Sequence, residues 1–590
     1  MSDDAIRNRR QRARNDPRQD PRQNARQSAE HDAAGAPAVL SRLQKAWGRS
    51  PFYQSRLHGP APDRFYCQVK DPTPHDRAVA DAILAGRFAA PPDEIDCLTE
   101  GVADPASVFD AVGPGRPLFA YIHGWRWLAD LSPLGADAPA AARALAAAWC
   151  DRYEDWSPPE WRAPQVGERL IALCRHGEIL LQGGDAVWRS RLLATVARQT
   201  RHLAYAGHKT PGAYDRLTAA LALTLIGLCL PGCEEPMERG LELLRREARL
   251  QFRSDGGHLS RNPSRQLEIV LRLRQTLEAF ERRSVAPPSF LRHLTARAAD
   301  HLAIFRLGDG RLAVFNGGYE ETAAAVDAAI GAPDEESLIG FARYSGYQRL
   351  NSGRSVLAVE VGAPDLDDAG GRSRRGFDGV GSFHLAAGRE RLIVNCGAGA
   401  RLSPEWDLAL RQASAHSALS FEPVPGLAAE FGPAAHRRAE NDQGQLIEID
   451  RRFRFPDRAR DDRRAGDLAA QAGHMRRLFL RHGGEELLGE DILIEPSPAQ
   501  AAAWRIRFHL APGVRASIAR DGRSALVLLP GGEGWRFKSN WRAMTLERSV
   551  YCGAGGAPQS TEQIVLAGQR LEAQPRGDMV VKWGWRRVAA

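Results

Sequence analysis

The stretch SDGGHLSRNPSRQLE, residues 254–268, concentrates polar side chains where a turn meets the start of a helix. Its candidate binding residues are His258, Arg261, Asn262 and Arg265. Free backbone N–H groups and the helix dipole favour anions at such a junction, and arginine pairs well with carboxylate and sulfate. The stretch therefore predicts a site for an anion or a sugar. The alternative is a capping motif, with Ser264 as the N-cap and Glu268 further along.

Further along the chain, two other residues have side chains that can transfer protons. Tyr319 lies in the Gly-rich loop FNGGYEE after an expected strand, and His416 precedes another strand in SAHSALSF. A positioned tyrosine or histidine can act as an acid or a base beside a carboxylate. Both are candidate catalytic residues, and a packing role is the alternative for each.

The segment PLFAYIHGWRWLADL carries aromatic residues on more than one face of an expected helix. Trp125 is the candidate among them, because tryptophan offers a flat platform with a polar edge on which a sugar ring can stack. Aromatic spacing of this kind is also typical of a helix core, so both interpretations stay open.

Several common catalytic motifs are absent from the sequence. It contains no GxSxG, P-loop or HExxH motif and no dinucleotide fingerprint in a strand–helix context. The eight cysteines include no CxxC pair, which leaves a zinc ribbon or a disulfide framework unsupported. We therefore predict neither a cofactor nor a metal ion.

Composition and charge narrow the class of protein. The chain has 590 residues with a net charge of +8, and no apolar run approaches the roughly 20 residues of a membrane helix. Residues 1–40 form an Arg-rich tail that is predicted to be disordered and has no apolar signal core, so the sequence alone indicates a cytoplasmic protein. We expect no nucleic-acid partner, whereas a basic folded surface suits an acidic polysaccharide.

The remaining chain divides into two halves by its hydrophobic period. Up to about residue 281, segments such as VGERLIALCRHGEILL show apolar residues near i, i+3, i+4 and i+7, which implies helices packed as a bundle or an α/α toroid. After about residue 302 the period becomes two, with Gly, Pro and Asp turns, starting from a hairpin expected in HLAIFRLGDGRLAVFNGG. We predict an α+β, two-domain protein, with a helical domain over 41–300 and an antiparallel β-sandwich over 301–590.

The order of several segments resembles the heparinase II/III family, especially its shorter bacterial branch. These segments are PLFAYIHGWRWLADL, WRAPQVGERLIALCRH, SDGGHLSRNPSRQLE, GRLAVFNGG, SGYQRL, SFHLAAGRERLIVNCG, SAHSALSF, GGEGWRF and TEQIVLAG. The resemblance implies an N-terminal α/α toroid followed by a C-terminal antiparallel β-sandwich. It also implies a polysaccharide lyase that cleaves an acidic, uronate-containing, glycosaminoglycan-like chain by β-elimination, in the cell envelope or periplasm.

The chain departs from the family pattern at the positions where chemistry is expected. Arg265 stands where active relatives place a tyrosine, and Arg375, Phe377 and Gly379 stand where they place a His-x-His-x-Asp run. Asn395 stands where they place a metal-associated aspartate. Ala213 and Tyr214 stand where they place an Asn-His or similar pair. Only the family's Ala-His-Asn/Ser motif is retained, with its histidine at His416, and one histidine cannot hold a structural zinc ion, which normally has four ligands.

Two functions follow from this comparison. In the first, the protein is a lyase in which Tyr214, Tyr319 or His416 moves protons while Arg261 or Arg265 neutralises a substrate carboxylate. In the second, it is a noncatalytic glycan-binding or envelope-polysaccharide assembly protein that has lost the family's catalytic residues. The sequence places the lyase first.

Overall fold

The computed structural model describes residues 47–48, 50–99, 102–331, 340–362, 376–421, 430–454, 472–494, 503–568 and 579–588. The tail expected over residues 1–40 and Arg375 lie outside this part of the chain. Within it, no helix combines the length and the apolar character that a bilayer crossing requires.

The first half is helical. Its helices are α1 Pro51–Leu57, α2 Arg77–Leu84, α3 Val108–Ala111, α4 Pro117–His123, α5 Trp127–Asp130, α6 Ala138–Tyr153, α7 Ala163–Leu181, α8 Ala186–Ala206, α9 Ala213–Cys229, α10 Glu234–Gln251, α11 Pro263–Arg282 and α12 Ser289–Ala303. Two small antiparallel hairpins, β1 Arg87–Ala90 with β2 Asp93–Asp96 and β3 Leu98–Thr99 with β4 Val102–Ala103, interrupt the helices. Helix α9 is the centre of this half: it packs against α7, α10 and α11, and all its residues from Leu217 onward are buried.

A helix and a nine-stranded antiparallel sheet begin the second half. The elements are α13 Ala323–Ile330, β5 Phe341–Ala342, β6 Tyr347–Ser352, β7 Ser355–Glu360, β8 Phe383–Ala387, β9 Glu390–Val394, α14 Pro404–Leu410, β10 Leu419–Phe421, β15 Trp504–Leu510, β19 Met544–Tyr551 and β20 Gln559–Gly568. The strand order is β19-β20-β15-β9-β8-β7-β6-β5, and β10 also pairs with β15.

The second sheet has eight antiparallel strands and faces the first. It contains β11 Glu430–Glu440, β12 Gly444–Arg454, β13 Ala472–Arg481, β14 Glu486–Ile494, β16 Arg515–Ile518, β17 Ser524–Leu528, β18 Gly534–Ser539 and β21 Met579–Arg587, in the order β11-β12-β13-β14-β21-β18-β17-β16. Side chains of the two sheets meet in a shared core, where Phe383 stacks on Trp583 at 5.9 Å and Phe508 contacts Phe537 at 5.0 Å between ring centroids. The predicted fold class, a helical toroid followed by a β-sandwich, is confirmed.

Two local predictions need correction. The hairpin expected over 301–318 is much shorter than predicted, because α12 continues to Ala303. Around the Gly-Asp-Gly turn, an isolated bridge joins Arg306 to Leu312, and the backbone N–H groups of Leu307 and Ala313 donate to the carbonyl oxygens of Arg311 and Phe305. The segment PLFAYIHGWRWLADL is not one helix: it breaks between α4 and α5, where Trp125 has a φ of 57°. Since a left-handed residue cannot continue a right-handed helix, this break changes the direction in which the aromatic side chains point.

Candidate functional site

A charged cleft lies in the helical half where α7, α9 and α11 meet. Tyr214 is the second residue of α9, and Asn262 caps α11 by accepting the backbone N–H of Arg265 at 3.1 Å. Because α11 begins there, Arg265, Glu268 and Arg272 are spaced three and four residues apart on one helical face. We call this site the Tyr214 cleft, and its members are Arg126, Glu168, Tyr214, Arg265, Glu268 and Arg272.

The lower part of the Tyr214 cleft is a hydrogen-bonded network. The Tyr214 hydroxyl donates to Glu268 Oε2. Arg272 Nη2 lies 2.8 Å from Glu168 Oε1 and 2.5 Å from Glu268 Oε1, and the Arg272 side chain is only 4 % exposed. Glu268 is thus held between a phenol and a guanidinium, which fixes its orientation.

Arg265 and Arg126 supply positive charge toward solvent. Both are exposed, and the Arg265 guanidinium carbon lies 5.1 Å from the centroid of the Tyr214 ring. Loss of hydration next to the surrounding protein disfavours the charged form of Arg126. The negative charges of Glu268 and Glu168 outweigh this effect and raise the pKa of Arg126. Among the described residues, neither Arg265 nor Arg126 forms an ion pair with a carboxylate within 4 Å. Both guanidinium groups are therefore available to an anion.

The electrostatics of the network give Tyr214 and Glu268 different protonation states. Burial and the charge of Glu268 raise the pKa of Tyr214 well above its usual value. Burial works against ionisation of Glu268, but the charges of Arg272 and Arg126 prevail and lower its pKa to about 2. At neutral pH the cleft therefore contains a protonated phenol beside an ionised carboxylate, so Tyr214 can give a proton but cannot readily accept one.

His258 lies next to the Tyr214 cleft but faces inward. Its ring centroid is 6.2 Å from that of Tyr214, its Nε2 lies 3.0 Å from Gln251 Oε1 and its Nδ1 lies 2.9 Å from Ser260 Oγ. Burial lowers its pKa to about 3, with Arg265 adding to the effect. His258 is therefore neutral and held by two neighbours, so its ring supports the loop that precedes α11.

Arg261 and Asn262, both expected at the binding site, join the two halves of the molecule. The Arg261 guanidinium donates to the carbonyl oxygens of Ser345 at 3.0 Å and Gly362 at 2.9 Å, and it pairs with Glu360 at 2.9 Å. The Asn262 amide donates to the carbonyl oxygen of Asn316 at 3.0 Å. Because Arg261 is buried and bonded to the second half, its charge stabilises the interface between the two halves.

Tyr319 and His416 lie apart from the Tyr214 cleft. The Tyr319 hydroxyl accepts the backbone N–H of Arg401 at 3.2 Å, and the guanidinium of the same arginine lies 3.9 Å from the ring centroid. His416 is buried beside Glu360, its Nδ1 lies 2.9 Å from the carbonyl oxygen of Gln412, and burial lowers its pKa. Gly379 permits this approach, since a Cβ there would stand 2.6 Å from Glu360 Oε2 and 2.8 Å from His416 Cδ2.

Trp125 is located in the core of the helical half. It is 1 % exposed, and its ring centroid lies 5.7 Å from that of Trp127 and 5.4 Å from that of Trp149. The left-handed backbone at this residue turns the indole inward and leaves the next residue, Arg126, at the surface. The expected sugar platform is therefore a packing residue in this conformation.

The structure assigns to the cleft several residues that the sequence reasoning did not select. They are Arg126, Glu168, Glu268 and Arg272. Arg126 adjoins the break that the helical pattern concealed, and Glu268 had been considered only as part of a cap. A signal for Arg272 did exist, since it lies seven residues after Arg265 and so shares its helical face.

Comparison with known proteins finds similarity to one family in the second half of the chain. Residues 336–584 match the family model described as Heparinase II/III-like, C-terminal. The resemblance to the heparinase II/III family is confirmed. A curated relative, FtsZ-localized protein C from Caulobacter vibrioides (strain NA1000 / CB15N), is 28% identical over 575 residues, which cover 92% of this chain and 94% of the relative.

Solved structures of heparinases share the fold. Heparinase III matches with a TM-score of 0.63 and 13% identity, covering 87% of this chain and 85% of that one. Heparan sulfate lyase from Pedobacter heparinus matches with a TM-score of 0.56 and 14% identity, covering 96% and 91%. The chain thus shares the fold of these heparinase structures, with a toroid and a β-sandwich in the same order.

Proposed function

We propose that this lyase-like protein binds an acidic, uronate-containing polysaccharide in the Tyr214 cleft and has lost the proton-abstracting group of an active lyase. The observation that carries the proposal is the pair of exposed guanidinium groups of Arg265 and Arg126. The third arginine of the cleft, Arg272, is already paired with Glu168 and Glu268. Guanidinium groups bind carboxylate and sulfate through paired hydrogen bonds. The Tyr214 ring beside Arg265 adds a flat surface for a sugar.

The described candidate bases support binding without cleavage. β-Elimination requires a group that removes the proton next to the uronate carboxylate. His258 and His416 are buried, the Tyr319 hydroxyl is engaged by a backbone N–H, and the high pKa of Tyr214 keeps that phenol protonated. The name of the Caulobacter relative states that it is localised with FtsZ, which accords with an assembly role near the cell envelope.

The experiment is a binding titration of the purified full chain against a panel of acidic polysaccharides. We expect Arg265→Ala to weaken binding roughly 10-fold, corresponding to about 1.4 kcal/mol, and to lower its salt dependence. Arg292→Ala removes the same charge from an exposed position on α12 and is the matched control. Equal binding by the two variants would remove the Tyr214 cleft as the binding site.

Catalysis of β-elimination is the second candidate, and the hydrogen bond from Tyr214 to Glu268 favours it. A protonated tyrosine oriented by a carboxylate is suited to protonate a leaving glycosidic oxygen. The unsaturated uronate product absorbs ultraviolet light, so absorbance on each polysaccharide distinguishes the two functions. A rise that disappears in Tyr214→Phe would establish the lyase, whereas binding with no rise on any substrate supports the noncatalytic protein.

A further inference from the structure

Three side chains of the helical half, outside the Tyr214 cleft, converge on one point. Asp71 and His75 precede α2, and His176 lies in the last turns of α7. The Nε2 atoms of His176 and His75 lie 3.0 Å and 3.4 Å from the same oxygen, Asp71 Oδ2. One ligand atom from each residue lies within 4.8 Å of the other two. The side chains of Asp71, His75 and His176 are 5 %, 14 % and 11 % exposed, so the group is enclosed but not sealed.

The separations suit ligands of one small cation. Zinc ligands lie about 2.0–2.2 Å from the ion, which puts the ligand atoms of a tetrahedral site roughly 3.3–3.5 Å apart. Asp71 Oδ1 accepts the backbone N–H of Thr73 at 3.0 Å, which orients the carboxylate and leaves Oδ2 as the single ligand atom. The imidazole rings are nearly perpendicular, at 84°, with centroids 6.0 Å apart. Both rings therefore present an edge nitrogen to the same carboxylate oxygen.

A second and independent observation is the support behind His75. Its Nδ1 lies 3.1 Å from Asp130 Oδ1, and Asp130 Oδ2 accepts the hydroxyl of Tyr121 at 2.6 Å. A metal-bound histidine usually donates its other N–H to a carboxylate, which fixes the tautomer. In the metal-bound form, Nδ1–H stays donated to Asp130, and Nε2 of the neutral ring is free to bind an ion that Asp71 Oδ2 also contacts.

The charges around the cluster also fit a dication. Asp71 and Asp130 contribute two negative charges to a partly enclosed space, and neutral imidazoles contribute none. The neighbouring guanidinium, that of Arg175, lies 3.9 Å from Asp71 Oδ2 and is directed to Gln275 Oε1, at 2.8 Å from Nη2. With Arg175 counted, the two carboxylates leave one net negative charge beside the cluster, which favours a bound cation while Arg175 keeps Gln275 as its partner.

We propose that Asp71, His75 and His176 bind one divalent first-row transition-metal ion, with at least one coordination position left for water or a ligand. Two imidazoles and one carboxylate are the ligand set of open zinc and non-haem iron sites. The site lies on the helical half, away from the sandwich residues Asn395 and His416. It does not depend on glycan binding by the Tyr214 cleft.

The test is metal titration of the tag-free full chain after chelator treatment and dialysis, with Zn²⁺ by calorimetry and with Co²⁺ by visible absorption. We expect one equivalent to bind, with cobalt ligand-field bands that Zn²⁺ displaces. His176→Ala and Asp71→Asn are expected to weaken binding by at least about 10-fold. His293→Ala, which removes an exposed histidine on α12, is the matched control and should bind as the unaltered chain does.

Two results would overturn the metal site. One is no stoichiometric binding by the unaltered chain; the other is equal affinity in His176→Ala and His293→Ala. Either would mean that the cluster is an ion pair in which a protonated His75 bridges Asp71 and Asp130. Should the ligand variants fail to fold, the unaltered chain decides: Zn²⁺ must raise its melting temperature and Co²⁺ must give imidazole-ligated bands, and absence of both contradicts the proposal.

Discussion

Two arginines four residues apart, Arg261 and Arg265, have opposite roles. Arg261 is buried in a left-handed turn at a φ of 51° and bonds to carbonyl oxygens of the second half, whereas Arg265 is exposed above Tyr214. A buried guanidinium is tolerated only when its partners are fixed, and Glu360 is such a partner at 2.9 Å. The same residue type therefore stabilises the fold at one position and remains available to a ligand at the other.

Arg261→Ala is expected to lower the free energy of unfolding by about 3–5 kcal/mol, because it leaves the Glu360 carboxylate buried without its ion-pair partner. Arg265→Ala is the matched control and should cost no more than about 0.5 kcal/mol, as for most surface changes. Urea denaturation followed by circular dichroism measures both. Similar losses in the two variants would mean that Arg261 does not support the joint.

At the scale of elements, close packing of α9 against α10 sets the centre of the helical half. Gly240 of α10 is the contact point: a Cβ there would stand 2.6 Å from the Thr224 backbone nitrogen and 2.8 Å from Leu223 Cβ. Backbone atoms cannot move aside as a flexible side chain can. The absence of a side chain at Gly240 therefore sets the distance between the two helices.

Gly240→Ala should destabilise the protein by roughly 1–3 kcal/mol despite the better helix propensity of alanine, since the added methyl group overpacks the contact. Gly113→Ala is a suitable control, because a Cβ at Gly113 meets nothing within 4 Å. Thermal melts of the two variants give the comparison. A Gly240→Ala variant as stable as Gly113→Ala would show that α10 can shift away from α9.

The sequence predicted the elements well where one period runs undisturbed. Hairpins such as β8–β9 and β13–β14 follow alternating patterns with glycine turns, and the long helices follow apolar stripes. The hairpin expected over 301–318 is shorter than predicted, because the first residues of that segment continue helix α12 to Ala303. The Tyr214 cleft was only partly predictable, since Arg126, Glu168 and Glu268 belong to separate elements and only folding brings them together.

At the scale of the whole molecule, polar residues fasten the helical half to the sandwich. Asp255, in the loop before α11, accepts the backbone N–H groups of Tyr344 at 2.8 Å and Ser345 at 2.7 Å. The bond to Ser345 is partly buried and the bond to Tyr344 is exposed, and because both join the two halves, we expect the halves to unfold together.

Asp255→Ala is expected to split one calorimetric unfolding transition into two, because it leaves two backbone N–H groups of the second half without their acceptor. Asp300→Ala, an exposed aspartate of α12, is the control and should keep a single transition. Differential scanning calorimetry makes the measurement. One unchanged transition in Asp255→Ala would mean that the remaining contacts suffice for cooperativity.

Buried histidines should make the whole molecule sensitive to acid. Burial lowers the pKa of His123, His258, His384 and His509 to about 3 and of His202 and His301 to about 4, from an ordinary 6.5. Below about pH 6.5 the unfolded chain binds protons that the folded chain does not, so stability falls as the pH falls toward 3–4. Each histidine should cost about 1–2 kcal/mol at pH 5.

Urea denaturation at pH 7 and pH 5 tests this dependence. The midpoint should fall substantially at pH 5, and replacing exposed His293 should leave the difference unchanged. An equal midpoint at both pH values would contradict the assignment of these histidines as neutral groups.

Helix α11 links the interface between the two halves, the Tyr214 cleft and the Asp71 cluster. The rotation of the helix about its own axis decides which side chains face each of them. It starts at the joint with Asn262, carries Arg265, Glu268 and Arg272 into the cleft, and ends that face with Gln275, the partner of Arg175 beside the Asp71 cluster. A helix turns by about 100° per residue. Inserting or deleting one residue after Glu268 would therefore swing Arg272 and Gln275 away from their partners together. A change of helix length there would therefore disturb the cleft and the support of Arg175 together, whereas a substitution at Gln275 alone leaves the contacts of Arg272 in place.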